Sequence, residues 1–219
     1  MWLPGHLALA FVIALPLILL SQERSRVLVM AQVAVFSVFP DFFHIGDVRM
    51  ISHSLIGLGV LVAAALLFLS LFNRQSLALI LGAIIGASVH LLGDAYIGHI
   101  YPFFPLSDSI FELHRFNTLF DLQTELLLSG VALVLFLGVV RPWREWGIHP
   151  IDRKGEIQLL LLAAPFAILS AGELALYALS DVHFGAPLST WLLIPFFLLP
   201  LLASGFAAVV IMLRMLKRA

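Results

Sequence analysis

The chain has 219 residues, of which 62% are hydrophobic and 11% charged, and its mean hydropathy is +1.08. This composition excludes an ordinary soluble domain and predicts an integral membrane protein. The formal net charge of −1 argues against a nucleic-acid partner, and the lack of cysteine excludes disulfides, thiolate metal sites and cysteine nucleophiles.

Apolar runs recur along the whole chain, separated by short polar segments. Most approach the ~20 residues that a helix needs to cross the hydrocarbon core, and they lack the strict alternation of a membrane barrel. Seven helical segments are predicted, at about 3–20, 27–39, 53–72, 76–98, 119–140, 156–180 and 189–213. The predicted fold is an all-α, polytopic membrane helix bundle in one domain, 1–219, in which 1–118 carries the candidate site and 119–219 adds transmembrane helices.

The loops between these segments alternate between two faces of different composition. One face receives ten of the twelve lysines and arginines, and the other receives seven of the eight histidines. By the positive-inside rule, the N-terminus lies outside, the C-terminus lies in the cytoplasm and the histidines lie at the outer leaflet. The predicted location is the cell (inner) membrane.

The second apolar run, 27–39, spans only about 20 Å as a helix and is too short to cross alone. In one interpretation it ends below the outer surface, and Asp41 and His44 are recessed in the bilayer. In the other, the helix continues through Pro40 to about Phe43, and Asp41 faces a solvated crevice.

Ionisable side chains gather near the outer ends of four predicted elements. His90 and Asp94 are four residues apart and lie on one face of helix four. His6 lies near the outer end of helix one, Asp41 near that of helix two, and His53 at the outer start of helix three. We expect these five residues to meet at one membrane level, where an unpaired ionisable group is costly.

These five residues form a nitrogen and oxygen donor set that favours zinc, with manganese or iron as alternatives. Five candidates exceed the four ligands of one closed site. Either two metals share a bridging carboxylate, or one metal keeps a position open for water. The alternative without metal is a hydrogen-bonded polar network in which Asp94 pairs with Arg49 or Arg115.

Three sequence blocks resemble a known family. FPDFFH, VRMISHSL and HLLGDAYIGHIYPF are similar, in order and spacing, to the signature blocks of predicted inner-membrane metal-dependent hydrolases, including the LexA-binding inner-membrane-associated hydrolases. The resemblance covers about residues 1–108. That family is distantly related to the zinc-dependent phospholipase C and nuclease superfamily, whose helical fold binds a zinc cluster.

The resemblance implies a ligand set. Asp41, His53, His90 and Asp94 would hold one metal, and His6 with the bridging Asp94 would reach a second.

Two positions depart from the family pattern. Phe43 stands where members often carry a second aspartate, and Thr118 stands where a glutamate would follow His114. A third metal held by His99 and His114 is therefore not expected. The expected number is one or two ions.

Six further residues are secondary candidates: His44, His99, His114, Arg115, Glu125 and Glu173. Glu125 and Asp121 form an acidic i, i+4 pair that either supplies a ligand or a base, or simply opposes the dipole of helix five. Glu173 lies within helix six, either as a protonated acid or as a partner of a site residue.

The predicted function is a membrane-bound, metal-dependent hydrolase, similar to phospholipase C, that cleaves a phosphoester or ester of a lipid or lipid-linked substrate. Asp41 or Asp94 would accept a proton from the metal-activated water, and Arg49 would hold the phosphate. Alternatively, Arg49 contacts a lipid headgroup or pairs with Asp47. The alternative functions are an ion or metal transporter and a haem-type redox protein. The oligomeric state is not predicted.

Overall fold

The computed structural model describes residues 1–43, 48–113, 118–140, 152–179 and 192–217. These residues form eight α-helices, one 3₁₀ helix at Phe39–Phe43 and one π-helical turn at Phe136–Val140. The α-helices are α1 (Leu3–Leu20), α2 (Glu23–Phe36), α3 (Val48–Ser52), α4 (Leu55–Ser70), α5 (Leu77–Tyr96), α6 (Thr118–Leu135), α7 (Arg153–Leu179) and α8 (Ile194–Leu216).

Five helical segments in the described part of the chain are long and apolar enough to cross a membrane. They are Leu3–Leu20, Leu77–Tyr96, Phe120–Val140, Arg153–Leu179 and Ile194–Leu216. Their outer surface is apolar: Leu202 and Phe206 of α8 are 65% and 67% exposed. The all-helical class is confirmed, and these helices indicate a membrane protein. The count of seven segments and the orientation of the termini stay predictions, since α2 and α4 are shorter apolar helices.

Serine side chains mark where α4 and α5 begin. The hydroxyl of Ser54 accepts a hydrogen bond from the N–H of Gly57 at 3.0 Å, and that of Ser76 accepts from the N–H of Leu79 at 3.4 Å. Each hydroxyl pairs with a backbone N–H that the first helical turn leaves without a helical partner. The cap at Ser54 therefore places His53 just outside the start of α4.

Helix α5 packs against both α1 and α2, and a glycine sets its distance from α2. A Cβ atom at Gly86 would lie 2.6 Å from the carbonyl oxygen of Val33 and 3.1 Å from the Cβ of Phe36. Two helix backbones approach this closely only where one of them carries no side chain. Because Gly86 lies one turn before His90, α2 is held against the part of α5 that carries this histidine.

The other long helices surround these three. Helix α6 packs on α1, α7 packs on α2, and α8 packs on α7. The indole ring of Trp2 lies edge-on to the rings of Tyr177 and Phe197, with centroids 5.0 and 6.4 Å away. Both partners are fully buried. Aromatic contacts from α7 and α8 therefore hold the start of α1, which carries His6.

The position where α2 ends contradicts the interpretation in which this helix continues to about Phe43. The α-helix does not continue through Pro40: it ends at Phe36, and the 3₁₀ helix Phe39–Phe43 follows after two turn residues. Pro40 has no N–H to donate and disfavours the α conformation of the residue before it. Asp41 is half-buried in this 3₁₀ helix, while His44 lies outside the described residues.

Candidate metal centre

The five predicted ligand residues converge at one end of the bundle. His6 comes from the first turn of α1, Asp41 from the 3₁₀ helix, His53 from the corner between α3 and α4, and His90 and Asp94 from the end of α5. The three histidines are at most 1% exposed, and Asp94 is 7% exposed. Four separate elements thus bring five ionisable side chains together, and only Asp41 is as little as half-buried.

Asp94 lies at the centre of this cluster. Its Oδ1 atom is 3.1 Å from Nε2 of His6, and its Oδ2 atom is 3.2 Å from Nε2 of His53 and 3.5 Å from Nε2 of His90. Its Oδ1 is also 3.0 Å from the amino group of Met1. One carboxylate therefore lies within 3.5 Å of all three imidazoles.

Asp41 approaches the same imidazoles from the 3₁₀ helix. Its Oδ1 atom lies 3.7 Å from Nε2 of His53 and 3.6 Å from Nε2 of His90. Two sets of donor atoms within 4.8 Å of one another result: His6, Asp41 and His90 form one, and His53, His90 and Asp94 form the other. Either set could hold a metal ion, and the two share His90.

Backbone carbonyls orient two of the imidazoles. The Nδ1 atom of His90 lies 2.8 Å from the carbonyl oxygen of Ser37, and that of His53 lies 3.0 Å from the carbonyl oxygen of Arg49. A carbonyl only accepts, so each Nδ1 carries a hydrogen, and each Nε2 faces the cluster. These two Nε2 atoms are 3.2 Å apart. Two nitrogens this close, beside two carboxylates, require a proton or a metal cation between them.

His6 stacks on His90, with ring centroids 4.1 Å apart and planes 17° from parallel. Both of its ring nitrogens are buried and make no hydrogen bond, although Nε2 faces Asp94. Gly93 makes room for this ring, because a Cβ there would lie 3.0 Å from Nδ1 of His6. A buried imidazole without a hydrogen bond is uncommon in proteins, and coordination of an ion would satisfy it.

The two carboxylates of the cluster favour a positive charge on His53. Burial alone would lower this pKa, but the carboxylates of Asp41 and Asp94 outweigh burial and raise it from 6.5 to about 9. In the absence of a metal, His53 therefore holds a proton at neutral pH. A bound cation would take the place of that proton.

Glu125 of α6 lies beside the cluster and contacts the backbone next to it. It is fully buried, and its Oε1 atom accepts a hydrogen bond from the N–H of Trp2 at 3.0 Å. Its Oε2 atom is buried without a hydrogen bond. Glu125 therefore does more than oppose the dipole of α6: it ties α6 to the segment that carries His6. Asp121, four residues earlier, is also buried.

The remaining predicted site residues lie at or beyond the edge of this cluster. Arg49 is half-buried in α3 and contributes its carbonyl oxygen to His53. His99 is half-buried with its ring edge-on to Tyr101, and Glu173 is half-buried within α7. Neither belongs to a described donor group. The secondary candidates His44, His114 and Arg115 lie outside the described residues.

Two contributors to the site were not identified from the sequence. Ser37 acts through its carbonyl oxygen, which every residue possesses, so no sequence signal marks it. Gly93 could have been found, because it is a small residue on the face of α5 that carries His90 and Asp94. The contact of Glu125 with Trp2 needed the packing of α6 on α1.

No family model, curated protein or solved structure matches the chain. The resemblance of residues 1–108 to inner-membrane metal-dependent hydrolases therefore stays a prediction. What the site can do is inferred from its own geometry and chemistry.

Proposed function

We propose that the protein is a membrane-bound, metal-dependent hydrolase of lipid or lipid-linked esters, with phosphoesters as the favoured substrates. The observation that carries this proposal is the pair of Nε2 atoms of His53 and His90, 3.2 Å apart and flanked by Asp41 and Asp94. Backbone carbonyls hold the other nitrogen of each ring, so both Nε2 atoms point at one place. Nitrogen and oxygen donors that converge in this way can surround a divalent cation.

The donor set fits zinc best. Imidazole nitrogens and carboxylate oxygens without sulfur suit zinc, and manganese or iron are the alternatives. Two features favour a second ion beside the first: Nδ1 of His6 is buried without a hydrogen bond, and the carboxylate of Asp94 reaches three imidazoles. One or two ions per chain are expected.

Residues of the chain would divide the work of hydrolysis. A bound divalent ion supplies Lewis acidity, which activates a water and polarises the ester. Asp41 lies within 3.7 Å of two imidazoles and contacts fewer of the histidines than Asp94 does, so it would accept the proton. Asp94 contacts three imidazoles and would hold the site together. The guanidinium of Arg49, on the adjacent α3, would bind a phosphate oxygen pair.

The surroundings of Asp41 favour a lipid substrate. Phe42 and Phe43 follow it in the 3₁₀ helix, and Val48 and Ile51 of α3 are each 44% exposed. Apolar side chains at the mouth of a site suit acyl chains, whereas a polyanionic nucleic acid would need many more cations. The expected substrates are phospholipids and lipid-linked phosphates.

A transporter of metal ions or protons is the second candidate function. Gln32 lies on α2 five residues before Ser37 and is fully buried, and it bonds to Gln158 of α7 at 2.9 Å. This places buried polar groups beyond the metal centre, as a transport path requires. The amides pair mainly with each other and carry no charge, which favours the hydrolase.

The first test is the metal content of protein purified in detergent without added metal, measured by inductively coupled plasma mass spectrometry. We expect one or two equivalents of zinc or manganese per chain. Asp94→Ala and His53→Ala should lose most of it, because each removes a side chain that contacts several others. Asp108→Ala, at an exposed aspartate outside the cluster, is the matched control and should retain the wild-type content.

Activity is then measured on the same preparations. Metal-loaded wild-type protein should hydrolyse phospholipid or lipid-linked phosphate in mixed micelles. The rate for Asp94→Ala should be lower by at least about a hundredfold. Metal-dependent ion flux in liposomes without hydrolysis would favour the transporter. Folded protein that neither retains nor takes up a divalent ion would rule out both metal-dependent functions.

A further inference from the structure

A second site lies at the opposite end of α4 and α5 from the metal centre. A cavity of about 480 Å³ opens between the end of α4, the loop that follows it and the start of α7. The residues of interest in its lining are Leu71, Phe72, Asn73, Arg74, Gln75 and Lys154. Two cations, two amides and two apolar side chains thus face one space, with no acidic residue in the lining.

Buried amides hold the loop of this cavity in place. The Nδ2 atom of Asn73 donates to Oε1 of Gln158 at 2.6 Å, and Nε2 of Gln158 donates to Oε1 of Gln32 at 2.9 Å. Gln32 in turn donates to Oε1 of Gln75 at 3.3 Å, and Gln75 donates to the carbonyl oxygen of Asn73 at 2.7 Å. Gln32 and Gln158 are fully buried. Arg74, between Asn73 and Gln75, is therefore carried by a fixed backbone.

The cavity is electropositive. Arg74 and Lys154 are exposed, so water or an anion can reach both charges. Two acidic residues lie two positions from Lys154 along the chain, and both have other partners. Asp152 accepts a hydrogen bond from the N–H of Gly155 at 2.8 Å, and Glu156 pairs with Arg214 at 3.8 Å. Two cations with neighbouring amides provide the donors that a phosphate group needs.

Apolar surface borders the same cavity. Leu67, Phe68 and Leu71 at the end of α4 and Leu77 at the start of α5 are between 51% and 78% exposed. In a membrane protein this surface faces acyl chains. A ligand that fits both the electropositive cavity and its apolar border has an anionic headgroup and apolar tails.

We propose that this cavity binds the phosphate headgroup of an anionic phospholipid, with Arg74 and Lys154 on the phosphate and the acyl chains along Leu67, Leu71 and Leu77. A free phosphate would use the two cations but gain nothing from the apolar border. Basic pockets between membrane helices at the positive face are suited to anionic headgroups.

This lipid site is separate from the metal centre. Leu77 and Asp94 are the α5 positions nearest to the two sites, and they are about 25 Å apart along the helix axis. Substitutions at Arg74 and Lys154 should therefore leave the metal content unchanged. The proposal does not depend on hydrolase activity.

The test is native mass spectrometry of the full chain, released from detergent after mixing with equal amounts of dioleoyl phosphatidylglycerol and dioleoyl phosphatidylcholine. The wild type should retain phosphatidylglycerol in preference to phosphatidylcholine. Since each basic residue near an anionic lipid contributes roughly fivefold, Arg74→Ala with Lys154→Ala should lower the ratio of the two bound lipids by about thirtyfold. Arg74→Gln alone, which is a milder change in an exposed side chain, should lower it by about fivefold.

The matched control removes two exposed cations at the same end of the bundle, in the variant Arg153→Ala with Lys217→Ala. This variant should keep the wild-type ratio. Equal losses in both double variants would overturn the proposal in favour of diffuse charge attraction, as would a wild type without preference for phosphatidylglycerol. Displacement of the lipid by an equal concentration of sn-glycerol 3-phosphate would assign the cavity to a free phosphate instead and also overturn it.

Discussion

The imidazole of His53 shows how single residues set the chemistry of the site. Its Nδ1 atom lies 3.0 Å from the carbonyl oxygen of Arg49 and 2.8 Å from the hydroxyl of Ser52, so its Nε2 atom is turned towards Asp41 and Asp94. The same two carboxylates that would bind a cation raise the pKa of this ring to about 9. Proton and metal therefore compete for one nitrogen.

This competition predicts how zinc affinity depends on pH. Below pH 9 the proton on His53 must leave before zinc binds, so the apparent affinity should rise by up to about tenfold per pH unit between pH 6.5 and 8.5. Isothermal titration calorimetry in buffers of different ionisation enthalpy should report about one proton released per ion. His99→Ala, outside the donor groups, should follow the wild-type curve. A zinc affinity that does not change across this range would contradict the assignment of His53 as a ligand.

A second prediction at the residue scale concerns Glu125. Glu125→Leu leaves the N–H of Trp2 without its acceptor, and we expect a loss of about 1–3 kcal/mol in the free energy of unfolding. Glu125→Gln keeps an oxygen acceptor of the same length and is the matched control. Thermal unfolding in detergent compares the two variants. If they unfold at the same temperature, the contact with Trp2 does not hold α6 to α1.

At the scale of elements, close helix contact is what aligns the ligands. Gly86 lets α2 approach α5, and this approach places the carbonyl oxygen of Ser37 against Nδ1 of His90. The end of α2 at Phe36 also frees the chain to turn into the 3₁₀ helix that carries Asp41. Helix ends and helix spacing therefore matter as much as the ligand residues themselves.

The packing of α2 on α5 is tested at Gly86. A glycine to alanine change within a helix normally stabilises it by about 1 kcal/mol, because alanine is the better helix former. At Gly86 the new Cβ would lie 2.6 Å from the carbonyl oxygen of Val33, so we expect a loss of about 1–3 kcal/mol and weaker metal binding. Gly130→Ala on α6, where nothing lies within 4 Å of the new Cβ, should be neutral or stabilising. Similar unfolding temperatures for the two variants would argue against this contact.

At the scale of the whole molecule, the two ends of the bundle have different chemistry. The metal centre lies at the end of α5 that carries Asp94. At the other end, a hydrogen bond between Gln75 and Gln158 links the loop before α5 to the start of α7. An ion pair of 3.8 Å between Arg214 and Glu156 links the end of α8 to the start of α7. That end carries the described lysines and most of the described arginines.

The orientation of this bundle in the membrane can be tested directly, because the chain has no cysteine. A single cysteine at exposed Ser109, near the metal centre in sequence, should react with a membrane-impermeant maleimide on intact cells. A cysteine at exposed Lys217 should react only after the membrane is permeabilised, since the basic end is expected in the cytoplasm. The reverse labelling pattern would show the opposite orientation.

Much of the site could be predicted because its signals are local. His90 and Asp94 are four residues apart in an apolar run, and helix geometry alone puts them on one face. His6, Asp41 and His53 could be placed at the same level from the alternation of apolar runs. The contributions of Ser37, Gly86 and Gln32 could not be predicted, because they depend on which helices touch and how closely.

The sequence by itself predicted an all-helical membrane protein with most of its histidines at one face and most of its basic residues at the other, since hydrophobic run length and loop charge are local properties. Only the tertiary structure decided that α2 ends at Phe36, that Asp94 contacts three imidazoles and that Glu125 is tied to Trp2. Those outcomes depend on distances between residues far apart in the chain. Such distances follow from how side chains of neighbouring helices fit together, which no single segment encodes.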